Sequence, residues 1–85
     1  MEESNPFLGE QFKKVIRNQI RNNNPPITKE TYNRLISEGI NEKEATRLLA
    51  CVVSTETYNM LKESRSFDIN EYEKMMRKLP KLPWE

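Results

Sequence analysis

The stretch from Glu42 to Glu63 contains neither proline nor glycine, and its apolar residues Ala45, Leu48, Leu49, Val52, Val53 and Met60 recur at spacings of three and four. Residues three and four apart share one side of a turn of 3.6 residues, so this pattern predicts a helix rather than a strand. A helix of about 22 residues rises roughly 33 Å at the standard 1.5 Å per residue. In a chain of 85 residues such a spine dictates the rest of the design, because the remaining segments must pack on it to bury their own apolar faces.

Proline, glycine and capping residues divide the remainder. Asn5-Pro6 opens a first helix as cap and first helical residue, and the helix runs to about Asn22. Leu8, Phe12, Val15, Ile16 and Ile20 form its apolar stripe, opposite Glu10, Lys13, Lys14, Arg17 and Arg21. Asn24-Pro25-Pro26 breaks it. Thr28 is expected to cap a second helix over 29–38, with Ile27 and Tyr32 at the spacing of a hydrophobic staple. Gly39 and Ile40 then fit a Schellman stop, and Asn41 with Glu44 fits a capping box that starts the long third helix, 42–63. Phe67, Asp68, Glu71 and Tyr72 repeat the staple and box ahead of a fourth helix over 69–79, which Pro80 ends. The tail, 80–85, is expected to be extended. The predicted fold is all-α, a compact irregular bundle of four helices in one domain spanning 1–85, with the third helix longest and no strand alternation, repeat or low-complexity tract.

Composition excludes several classes of function. The 14 Lys+Arg residues nearly balance 13 Asp+Glu, so the net charge of +1 provides no whole-molecule field to draw nucleic acid or an anionic membrane. A mean hydropathy of −0.88 and a longest apolar run from Leu48 to Val53 leave nothing long enough to span a membrane. Cys51 is the only cysteine and there is no histidine. An intramolecular disulfide is therefore impossible and Cys51 has no imidazole base to make it a nucleophile. A lone cysteine without a signal-like leader fits a reducing, cytoplasmic setting. Phosphate-binding glycine loops, zinc-protease helices and Ser/His/Asp sets are missing too. No enzyme activity, metal or cofactor is expected.

Three features stand out against that background. Glu56 falls within the apolar stripe of the long helix, where a charge is costly unless its head reaches the edge of the core or meets a cation; Lys13 or Arg17 of the first helix are the expected partners. Lys13, Lys14, Arg17 and Arg21 form a basic strip suited to weak phosphate or nucleic-acid contact, although they lack interleaved aromatics and Glu10 stands beside them. Trp84 lies in Leu82-Pro83-Trp84 and must either fold back onto the bundle, the expected outcome, or stand out as an interaction anchor. Cys51 and the Met60, Met75 and Met76 set read as core filling. The short second helix, tight turn and third helix have helix-turn-helix order, but Glu42 and Glu44 cancel Lys43 and Arg47 and argue against insertion into a groove of DNA.

Asn5-Pro6-Phe7-Leu8, the run Val15-Ile16-Arg17-Asn18-Gln19-Ile20, then Asn24-Pro25-Pro26, and a glycine turn before a long helix containing Glu56 together resemble an uncharacterised family of small bacterial proteins of unknown function. The resemblance covers most of the chain and implies the same helical fold and a cytoplasmic bacterial origin. It also implies histidines in typical members at the positions of Gly9, Lys13, Lys43 and Arg47, pairs suited to a divalent metal. None is kept in this chain, and the cationic replacements are expected to keep some of the electrostatic balance near Glu56. The expected function is a non-enzymatic protein-interaction module that self-associates or takes an unidentified partner, with weak nucleic-acid binding through the first helix as the alternative.

Overall fold

The computed structural model describes residues 6–85, with side chains from Gly9 onward. The Asn5 cap and the place of Leu8 on the apolar stripe lie outside the described residues. Four helices follow one another: α1 Pro6–Asn22, α2 Pro26–Ser37, α3 Glu42–Glu63 and α4 Ile69–Lys78. Together they form a globule of 36 × 31 × 26 Å. α1 packs most extensively on α3, while α2 touches all three others and α4 rests on α2 and α3. No strand occurs among the described residues.

α3 is the 22-residue spine that its unbroken apolar spacing predicts. Ala45, Leu48, Leu49, Val52 and Val53 are buried along it, and Ile16, Leu35, Tyr72 and Met76 reach them from the other three helices. Phe12, Ile20 and Met75 pack at the margin of this core, whereas Val15, expected on the stripe, is 38% exposed. Its place one residue before Ile16 turns it past the edge of the buried arc.

The stop and start signals act as local physics requires. Gly39 has φ +94, a conformation that costs any side chain with a Cβ. The Ile40 N–H donates to the Leu35 carbonyl at 3.1 Å and the Gly39 N–H to that of Ile36 at 3.0 Å, the two bonds of a Schellman turn. The Asn41 side chain accepts the Glu44 N–H at 2.8 Å and opens α3. Half of the expected capping box is missing, because the Glu44 carboxylate turns instead to Arg47 at 2.6 and 2.9 Å. Asp68 caps α4 by accepting the Asn70 and Glu71 N–H groups, and the Phe67 ring stands edge-on to Tyr72 with centroids 5.1 Å apart. That contact is the predicted staple.

Two further expectations are corrected. α2 begins at Pro26, not at 29, with Pro25 in the capping position and no side-chain cap. Proline in the first turn gives up an N–H that has no helical partner there, so Pro25-Pro26 starts a helix as readily as it ends one. Thr28 is thereby drawn inside α2 and is fully buried. Its hydroxyl donates to Gln19 Oε1 of α1 at 2.7 Å, the Tyr72 hydroxyl of α4 donates to the same oxygen at 2.8 Å, and the two hydroxyls lie 3.4 Å apart. One acceptor thus joins three helices. The C-terminal tail, expected to be extended, makes turns: the Lys81 N–H donates to the Lys78 carbonyl and the Glu85 N–H to that of Leu82. Leu82 packs against the core margin.

The two left-handed positions at helix ends make opposite predictions. Gly39→Ala places a Cβ at φ +94 and should cost about 1 kcal/mol, read as a lower urea midpoint at constant slope. Ser64→Gly relieves a serine at φ 52 and should stabilise by about 0.5 kcal/mol, read as a higher urea midpoint, the steric gain being partly offset by a freer unfolded chain.

Candidate functional site

Glu56 is a buried carboxylate on the core-facing side of α3, with only 2% of its side chain exposed. Burial of that kind is stable only if the charge is fully hydrogen-bonded. α3 ends at Ser64, whose left-handed φ of 52 reverses the chain and brings Arg65 back against the helix just completed. Arg65 Nη1 donates to Glu56 Oε2 at 2.8 Å and Nη2 to Oε1 at 3.2 Å, a two-pronged pair. The guanidinium is itself held, by Glu63 at 2.6 Å and by the Ser66 carbonyl at 3.1 Å. Glu56 Oε2 also accepts the backbone N–H of Asp68 at 3.0 Å.

That last bond replaces half of a local motif. In a capping box Glu71 would reach back to the N–H of the cap residue. Here Glu56 takes that N–H from a different helix, and Glu71 pairs with Lys74 at 3.5 Å. Hydrogen bonds from Arg65 hold the Glu56 carboxyl below the usual carboxylate range; burial opposes them and the Asp68 N–H reinforces them. The expected partners Lys13 and Arg17 are not used. Lys13 lies 3.7 Å from Glu10, and Arg17 has no ion pair among the described residues. Nor do the cations at 13, 43 and 47 balance Glu56. Lys13, Lys43 and Arg47 meet instead around a hollow at the first turns of α3, and Arg47 is about 13 Å along the helix from Glu56 at 1.5 Å per residue.

The basic strip divides over three hollows. Lys14 lines one with Gln11, Val15 and Asn18, while Lys13 and Arg17 share another with Glu42, Lys43 and Thr46. Arg17 and Arg21 also flank an open hollow of about 320 Å³ with Ile20 and Tyr32. The sequence reading missed Lys43 and Tyr32 as neighbours of the strip, since both come from other helices. Where the family resemblance implies histidine, Lys13, Lys43 and Arg47 gather positive charge. That charge repels a divalent cation, so these residues do not fit a metal. Among the described residues no three His, Cys, Asp or Glu side chains come together to hold one either.

Trp84 does not fold back as expected. Leu82 docks, but the turn through Pro83 leaves the indole 64% exposed. It stands beside Tyr58, 62% exposed, across a shallow cavity of about 470 Å³ whose floor is Ser54, Thr55 and Asn59. Leu61, one turn past Tyr58, is 77% exposed, and Lys62 Nζ lies 6.0 Å from the centre of the Tyr58 ring. Cys51 is half-buried; burial pushes its thiol up against a smaller pull from Arg47. It is a poor nucleophile in that state. No helix of the described residues is long and apolar enough to cross a membrane.

Comparison with protein-family models, with curated proteins and with solved structures returns no match.

The Glu56 arrangement makes two predictions. Glu56→Gln replaces an acceptor oxygen by an amide N–H₂ facing Arg65 or Asp68 and should destabilise the fold by about 3 kcal/mol, the scale for breaking one side of a buried pair; an unchanged urea midpoint contradicts this role of the Glu56–Arg65 pair. Acid should act in the same sense. A carboxyl whose folded pKa is depressed below 4.5 contributes its stability fully above that value and loses it as pH falls through the folded pKa. Stability should therefore drop below about pH 4.5 in the wild type, with a shallower drop in Glu56→Gln, measured by urea denaturation across the acid range.

Proposed function

We propose that this protein is a non-enzymatic helical interaction module, cytoplasmic in setting, that associates with itself through the face formed by Tyr58, Leu61 and Trp84. The observation that carries this reading is the shared exposure of two aromatic rings and a leucine at one end of α3 and the adjoining tail. Aromatic residues of this kind supply large contact area at little cost in rotamer entropy, and they anchor protein interfaces more often than other side chains. The buried carboxylate Glu56 supports the non-enzymatic part, because both of its oxygens are engaged by Arg65 or Asp68.

Self-association is the form of the idea that needs no unknown partner. Sedimentation velocity should give a mass that rises with concentration, and Tyr58→Ala combined with Trp84→Ala should abolish the rise while leaving the helical circular dichroism unchanged. A single monomeric mass at every concentration, in wild type and variant alike, overturns self-association through this face.

A further inference from the structure

The arginines of this chain fall into two groups. Arg34, Arg47, Arg65 and Arg77 each hold a carboxylate in an ion pair. Arg17 and Arg21, one turn apart on α1, hold none among the described residues, and neither does Lys43 of α3. These free cations are not scattered. Three hollows along the seam between α1 and the start of α3 share residues end to end: Lys13 and Lys43 join the first to the second, and Arg17, Glu42 and Thr46 join the second to the third. Five cations line this seam against the three carboxylates Glu10, Glu42 and Glu44, a greater positive charge than the +1 of the whole chain. Two of those carboxylates are already occupied, Glu10 by Lys13 and Glu44 by Arg47.

The last hollow adds a different chemistry. Arg17 and Arg21 flank Tyr32 of α2 and Ile20, so a half-buried aromatic ring sits beside two guanidinium groups that hold no carboxylate among the described residues. Cations spaced one turn apart, about 6 Å along the axis, next to an aromatic platform are the two components by which single-stranded nucleic acid is held without base-specific readout. We infer that the seam between α1 and α3 binds single-stranded nucleic acid, with consecutive phosphates on Arg17 and Arg21, Lys43 extending the track, and one base stacked on Tyr32. A duplex fits less well, since a paired base has no free face to offer Tyr32. Glu42 is the one carboxylate in the seam without an ion pair among the described residues and weakens the hold on phosphate. It has a distinct signature in the test.

This seam shares no residue with the cavity beside Tyr58 and Trp84, so the two proposals stand or fall separately. The probe is a short fluorescein-labelled oligothymidylate, read by anisotropy across a salt series, with the matching duplex and polyglutamate as competitors. Three phosphate contacts, on Arg17, Arg21 and Lys43, predict a log–log salt slope of about −2.1. Arg17→Gln with Arg21→Gln should weaken binding at least about tenfold and flatten that slope. Both side chains are exposed, so the variant keeps its fold. Tyr32→Leu should weaken the single strand about tenfold, with no effect on the residual affinity for duplex, and Glu42→Gln should tighten binding to both. Absence of salt-sensitive binding at low ionic strength overturns the inference. So does binding that survives the double arginine change, competition by polyglutamate equal to that by oligothymidylate, or indifference to Tyr32→Leu in a variant whose helical signal is intact.

Discussion

The carboxylate of Glu56 is the interaction on which the second half of the molecule depends. Removing a charge from water costs several kcal/mol even after the surroundings relax. Three N–H donors, two from Arg65 and one from Asp68, offset that cost at a single point. All three come from the connection between α3 and α4 or from the cap of α4 itself. A carboxylate on one helix therefore fixes the point at which the next helix starts, and Ser64 in its left-handed conformation supplies the reversal that makes this reachable. The staple between Phe67 and Tyr72 sets the entry of the chain from the apolar side, while Glu56 holds it from the polar side.

A second polar centre does for the first half of the chain what Glu56 does for the second. Gln19 offers one side-chain oxygen to the hydroxyls of Thr28 and Tyr72, so α1, α2 and α4 meet at a single acceptor. Apolar burial gives the driving force, yet it is non-directional and tolerates sliding of one helix on another. Hydrogen bonds inside a small core select among the arrangements that burial alone leaves nearly equal. Tyr72 links this centre to the start of α4, with its ring against Phe67 and its hydroxyl on Gln19.

What the amino-acid order reveals depends on how far apart the interacting residues lie. The Schellman turn at Gly39, the Asn41 cap, and the Asp68 cap with its Phe67–Tyr72 staple all involve residues within about one turn of each other, where helix geometry alone dictates the partner. These were legible. So was the anomaly of Glu56, because helical period places it among valines. Its partner was not legible: Arg65 lies nine residues on, beyond any helical spacing, and is delivered by one backbone angle at Ser64. Thr28 misled for a related reason. As a residue type it favours helix caps, and nothing local distinguishes a capping hydroxyl from one that bonds across to Gln19 and Tyr72. The basic strip was visible on α1, but the residues that turn part of it into a seam, Tyr32 and Lys43, belong to helices brought alongside only by folding.

The exposed indole of Trp84 has a consequence beyond contact with a partner. It is the only tryptophan in the chain, and it stands in water in the folded state. Its surroundings therefore change less on unfolding than those of a buried ring, so its emission should report only weakly on folding. The same placement makes it sensitive to whatever covers the tail. Tyr72, locked between Phe67 and Gln19, holds the complementary signal: its ring environment changes when the helices part and is untouched by events at the surface. Among the aromatic rings, Tyr72 thus marks the interior, while Trp84, with Tyr58 beside it, marks the outside.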